Sequence, residues 1–120
     1  MSVYIMTEGE LKLAEIIWEK EPVNSGDLVD ICNQKYEWKK STTYTVLKKL
    51  CSQQIVQNID SMVISLIKRE EYLLRKSEKF IADNYSGSLP GFIAAFMKKK
   101  KLNQNQINEL KKMIDEYEER

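Results

Sequence analysis

Apolar residues recur at helical spacing near the start of the chain, with Leu11, Ala14, Ile17 and Trp18 on one stripe that Leu13 and Ile16 widen. Thr7 followed three residues later by Glu10 has the form of a capping box at the start of this helix. Pro22 prevents its continuation. A second helix is expected from Asn24 as its cap, with Asp27 facing back and Val23 and Leu28 placed as a hydrophobic staple. Leu28, Ile31 and Cys32 supply its buried side, and Tyr36 to Trp38 reads as a turn into a third helix. Between Trp38 and Val56, at about 100° per residue, Ser41, Thr42, Thr45, Lys48, Lys49 and Ser52 share an arc of roughly 120°. Thr43, Val46, Leu47, Leu50 and Cys51 fall on the other side, so one face buries while the other offers hydroxyl and ammonium groups.

After the third helix, Ile55 to Ile59 and Met62 to Ile67 are short Val/Ile-rich segments separated by Asp60-Ser61, the pattern of a β-hairpin. Three short helices and a hairpin in this order make a winged helix-turn-helix, in which the third helix enters the major groove of DNA. Its polar face carries no carboxylate, whereas a face built for solubility mixes Glu with Lys. Hydroxyls and amines alone suit phosphates and base edges.

From Glu70 the helical period returns and runs to about Tyr85, with Leu73, Phe80 and Ile81 among its apolar residues, and Ser86-Gly87-Ser88 ends it. A fifth helix carries Leu89, Phe92, Ile93 and Phe96 at i, i+3, i+4 and i+7, and Lys98 to Lys101 follow. The last begins at Asn103 with Gln106 as box partner and Leu102/Ile107 as staple, and Ile107, Leu110, Ile114 and Tyr117 line one side. Such helices either fold back on their own winged domain or need a partner surface, most simply a second copy. The expected architecture is mostly α: a winged helix-turn-helix domain over residues 1–69 and a helical dimerisation region over 70–120.

Charge sharpens this picture, because the net value of +1 hides a segregation. Residues 1–34 hold two lysines against seven carboxylates, while residues 35–49 hold five lysines against Glu37 alone. The cationic block therefore coincides with the polar helix face. The chain has no histidine, which removes Ser-His and Cys-His catalysis and most zinc sites. No catalytic residue, metal or cofactor is expected, and Cys32 and Cys51 read as reduced core thiols. No apolar run approaches the roughly 18 residues of a membrane span, so a cytoplasmic protein without membrane insertion is expected.

The candidate DNA-binding residues are Lys39, Lys40, Ser41, Thr42, Tyr44, Thr45, Lys48 and Lys49. Thr42 and Thr45 suit base edges or a thymine methyl, and Lys48 and Lys49 a guanine edge or phosphates. Lys39 and Lys40 stand where helix amides already favour a phosphate. Tyr44 either donates to a phosphate or packs against the wing. Four phosphates neutralised per protomer would give a dimer a log–log salt slope of about −7. The alternative is a winged-helix protein-interaction module without DNA binding.

The opening TEGELKLAEIIWEKEPVNSGDLV resembles the penicillinase and methicillin-resistance repressors of the BlaI/MecI type. So do Trp38, Thr42, Thr45, Leu47 and Leu50, and REEYLLRKSEKF, SGSLPGFIAAF and KLNQNQINELKKMID. The resemblance implies a homodimeric repressor on a palindromic double-stranded DNA operator, with the dimer held through Leu73, Phe80, Ile81, Leu89, Phe92, Ile93, Phe96, Ile107, Leu110 and Ile114. It also implies induction by a membrane-bound β-lactam sensor protease that acts indirectly and causes cleavage in the C-terminal region. The bond cut in well-studied relatives is Asn-Phe, and the matching position here is Ala95-Phe96. Many members have Arg where this chain has Lys49, and their wing carries cations that are missing between Ile55 and Ile67.

Overall fold

The computed structural model describes residues 4–99 and 102–119. Among them run α1 (Glu8–Lys20), β1 (Val23–Asn24), α2 (Ser25–Tyr36), α3 (Lys40–Ser52), β2 (Val56–Ile59), β3 (Met62–Ser65), α4 (Arg69–Tyr85), α5 (Leu89–Lys98) and α6 (Gln104–Glu118). The chain is mostly helical, as expected. Lys100 and Lys101 of the basic run lie outside the described residues.

The α1 capping box forms: Thr7 Oγ1 accepts the Glu10 N–H at 3.2 Å, and the Glu10 carboxylate accepts the Thr7 N–H at 2.8 Å. At α2 the expectation needs correcting. Asn24 Oδ1 takes the Gly26 N–H at 2.7 Å, no box with Asp27 forms, and Asp27 contributes only a negative charge to the first turn. The sheet holds a strand that the pattern does not reveal, since two residues are too few to show alternation. β1 pairs antiparallel with β3 (Val23↔Val63, Asn24↔Met62), and the order is β1-β3-β2. The hairpin turn places Asp60 at φ 51° and Ser61 at φ 65°, the pair of left-handed residues that a tight two-residue turn requires.

Two compact units result, residues 1–77 and 78–120. The expected division at 69/70 falls before α4 has left the first unit. The Tyr72 ring is buried 6.0 Å from Trp18, its hydroxyl accepts the Met6 N–H at 2.9 Å, and Leu73 packs partly on the same core. That core is built from Leu13, Ile17, Leu28, Leu47, Leu50, Ile55 and Val63 with α1 and α2 laid against α3. Trp18 is half-buried with its Nε1–H on the Ile67 carbonyl at 2.9 Å, and Trp38 is half-buried against Tyr36. Both cysteines are free, Cys32 buried and Cys51 half-buried, and burial pushes both thiols up.

Glu21, where α1 ends, ties the sheet to the start of α4. Its carboxylate accepts the Ser65 N–H at 2.9 Å and hydroxyl at 2.8 Å, and meets the Lys68 ammonium at 3.0 Å. Burial opposes its charge, but these donors together outweigh burial and hold the carboxyl below its ordinary range. A carboxyl depressed by folding binds its proton more readily in the unfolded chain, so its contribution is complete above the ordinary value of 4.5 and fades as pH falls through the folded value. We expect the melting temperature to drop below about pH 4.5 and the drop to be shallower in Glu21→Gln. Parallel pH profiles for wild type and variant would refute this.

In the second unit, α4 ends with Ser86 in the left-handed region at φ 51° and Gly87 at φ 77°, and the Gly87 N–H reaches back to the Ile81 carbonyl at 3.1 Å. Phe92 stacks edge-on with Phe80, Tyr85 and Phe96 at ring separations of 5.9, 5.3 and 5.1 Å. The α6 box is present, with Asn103 Oδ1 taking the Gln106 N–H at 2.9 Å and Gln106 Oε1 the Asn103 N–H at 3.1 Å. Among the described residues, α5 and α6 contain no buried side chain.

Candidate nucleic-acid interface

The link between α2 and α3 sets how α3 is presented. Glu37 takes a left-handed conformation at φ 58°, the Trp38 N–H returns to the Cys32 carbonyl at 3.3 Å, and Asn33 Nδ2 donates to the Trp38 carbonyl at 3.1 Å. The chain thereby leaves α2 in a turn of three residues and enters α3 at a fixed angle. Lys39 caps α3 without a side-chain hydrogen bond, and the first turn contains no carboxylate. The positive end of the helix is therefore not compensated within α3 itself.

Thr43, Leu47 and Leu50 are buried, while Lys39, Lys40, Ser41, Thr42, Tyr44, Thr45, Lys48 and Lys49 are exposed. Among the described residues, neither Lys39, Lys40 nor Lys48 joins an ion pair. Thr43 Oγ1 is buried without a hydrogen-bond partner among the described residues. The Cys32 thiol lies near enough for the hydroxyl to favour the thiolate, against the larger effect of burial, without a hydrogen bond forming.

Two of the exposed residues are engaged elsewhere. The Tyr44 hydroxyl stands 3.5 Å from Ser25 Oγ, and the Ser25 N–H donates to the Ser61 carbonyl at 2.8 Å. Tyr44 thus leans towards the start of α2 and the wing turn, with the Lys40 ammonium 6.0 Å from its ring centre. Lys49 reaches away from the strip, its ammonium 5.8 Å from the centre of the Tyr4 ring. The Tyr4 hydroxyl donates to both Glu10 oxygens at 2.6 and 2.8 Å. That hydrogen bond, together with burial, pushes the phenol up to about 12. Burial disfavours the Glu10 carboxylate, but the bonds from Tyr4 and Thr7 and the charge of Lys49 prevail and hold it below its ordinary range.

Sequence reasoning did not connect Tyr4, Glu10, Ser25 or Ser61 with this face. Glu10 is legible as a cap and Tyr4 not at all, because their contact with Lys49 depends on how α1 crosses α3. The wing carries no lysine or arginine, and its turn is flanked by the exposed cross-strand pair Ile59 and Met62.

The residues expected at a dimer seam are distributed unevenly. Leu73 packs partly on the core of its own winged unit. Phe80, Leu89, Phe96 and Ile114 are exposed, and Ile81, Phe92, Ile93, Ile107 and Leu110 are half-buried. The Ala95-Phe96 bond lies inside α5. Among the described residues no helix is long and apolar enough to cross a membrane, and no cluster of side chains is arranged to hold a metal ion.

Three helices, a turn-presented third helix and a three-stranded sheet define a winged helix-turn-helix protein. Residues 6–116 match the model of the penicillinase repressor family, and the chain belongs to that family. It is 22% identical to a penicillinase repressor of Bacillus licheniformis over 96% of this chain and 93% of that one. It is 22% identical to the methicillin resistance regulatory protein MecI of Staphylococcus aureus (93% and 94% covered) and 25% identical to a penicillinase repressor of the same species (89% and 92%). In fold it is similar to the solution structure of the DNA binding domain of the repressor BlaI, with a TM-score of 0.54 and 16% identity, covering 59% of this chain and 92% of that one. These relatives are regulators and not enzymes.

Proposed function

We propose that this chain is a homodimeric, sequence-specific DNA-binding repressor that lays α3 of each protomer into the major groove of a palindromic operator. The observation that carries this reading is the exposed, carboxylate-free strip of α3, whose Lys39, Lys40 and Lys48 join no ion pair among the described residues, with its opposite side buried in a helix-turn-helix. Thr42 and Thr45 face base edges or a thymine methyl, Ser41 and Lys48 the adjoining edges and phosphates, and Lys39 and Lys40 the phosphates at the helix start. Tyr44 sets the strip against the wing turn. With Lys49 turned aside, three lysines per protomer give a dimer slope of about −5.

Dimerisation is supported by the second unit, whose α5 and α6 leave Leu89, Phe96, Met97, Met113, Ile114 and Tyr117 exposed. A second copy would cover them and set two half-sites about one helical turn apart. The protein works in the cytoplasm, and its relatives' names point to genes of β-lactam resistance as its targets. Release through a membrane sensor protease would require α5 to unwind at Ala95-Phe96, since a protease needs an extended strand.

Band-shift titrations on DNA upstream of its own gene and on random duplex test this reading. Thr45→Ala should cost about 1–3 kcal/mol on the operator and little on random DNA, whereas Lys40→Ala should weaken both alike and flatten the slope by about 1 per protomer. If both variants lose the same affinity on both duplexes, the assigned roles are wrong.

A further inference from the structure

Lys49 occupies a boundary. At about 100° per residue it stands some 80° from Ser41, on the side of Thr42, within reach of the strip that faces DNA. A lysine stem there can extend towards a phosphate or fold back over α1, and in the structure it folds back, over the Tyr4 ring at 5.8 Å. That ring is fixed at its far end, since its hydroxyl grips both oxygens of Glu10. Glu10 is fixed in turn by the Thr7 amide and is itself buried. A carboxylate pinned at the start of α1 therefore anchors an aromatic platform and supplies the negative charge that favours Lys49 above it.

Resting on the DNA-binding reading above, we infer that Glu10, acting through Tyr4, is a positioning residue that holds Lys49 out of the DNA interface and so limits the protein's salt-dependent affinity for duplex DNA. A lysine contact with phosphate strengthens binding to every sequence alike, whereas base contacts distinguish sequences. Holding one lysine back therefore lowers affinity for operator and random DNA alike, without touching Thr42 or Thr45. The ratio of operator to random binding, set by the base contacts, stays as it is, and what changes is how tightly and how salt-dependently any duplex is held.

Glu10→Gln tests this, because glutamine keeps the oxygen that caps α1 and accepts from Tyr4 but loses the charge. Salt titrations on operator and random duplex are made with the full chain as wild type, Glu10→Gln, Lys49→Ala and the double variant. Glu10→Gln should steepen the slope by about 0.9 per protomer and raise affinity for operator and random duplex alike, about tenfold per protomer near 0.1 M salt, with the operator preference unchanged. Lys49→Ala should leave the wild-type slope unchanged, and added to Glu10→Gln it should restore it. Tyr4→Ala, which spares the capping box, should act like Glu10→Gln. The inference is overturned if Glu10→Gln leaves the slope unaltered, or if Lys49→Ala alone flattens it by about 0.9 per protomer. If wild-type protein shows no salt-dependent duplex binding, the DNA-binding reading itself fails and takes this one with it.

Discussion

Ile114→Glu is expected to convert the protein from dimer to monomer at micromolar concentration and to lower operator affinity about 10²-fold or more, the scale on which loss of a second linked contact acts. Ile114 is 58% exposed in the single chain, as are Met113 (62%) and Tyr117 (73%) in the same helix, so a carboxylate there disturbs little within one protomer. In a dimer it would be buried opposite an apolar surface without a partner, and a charge without compensation is not tolerated there. Sedimentation reads the mass, and binding to an isolated half-site, which needs only one α3, should stay near the wild-type value. A variant that remains dimeric with full operator affinity would remove α6 from the proposed seam.

Tyr72→Ala is expected to destabilise the winged unit by about 3–5 kcal/mol, the usual cost of deleting a buried aromatic side chain. Against a typical domain stability of about 5–15 kcal/mol, this leaves a large fraction unfolded on warming. Tyr72 is 2% exposed, lies against Trp18, and binds the Met6 N–H at 2.9 Å, so one ring fastens both the N-terminal segment and the start of α4 to the core. Tyr72→Phe keeps the packing and loses only the acceptor, at about 1–3 kcal/mol for the orphaned amide. Urea denaturation separates the two. If alanine costs no more than phenylalanine, the ring is not part of the core that holds α4.

Much of this fold is legible in the chain because its signals are local. Thr7 with Glu10 and Asn103 with Gln106 mark helix starts within four residues, and the buried side of α3 follows from the spacing of Thr43, Leu47 and Leu50. Asp60-Ser61 between two Val/Ile-rich segments suffices for the hairpin. The features that escape are those without periodicity or with distant partners: β1, which exists only because β3 lies beside it, and the seating of Tyr72, whose helix reads from the sequence as the beginning of another domain.

For the candidate site the division is similar. Which residues of α3 face outward, and that none of them is acidic, was determined by the sequence alone, because helical period and composition need no knowledge of neighbours. Only the tertiary structure decided which of those residues are free to reach a ligand. Lys49 and Tyr44 belong to the same helix face as Thr45 and Lys48, yet the N-terminal segment and α1 bring Tyr4 and Glu10 to the one, and the start of α2 brings Ser25, itself bonded to the Ser61 carbonyl, to the other. A long side chain at the rim of a helix takes the partner that packing delivers, and that partner is set by how helices cross rather than by the residues next to it in the chain.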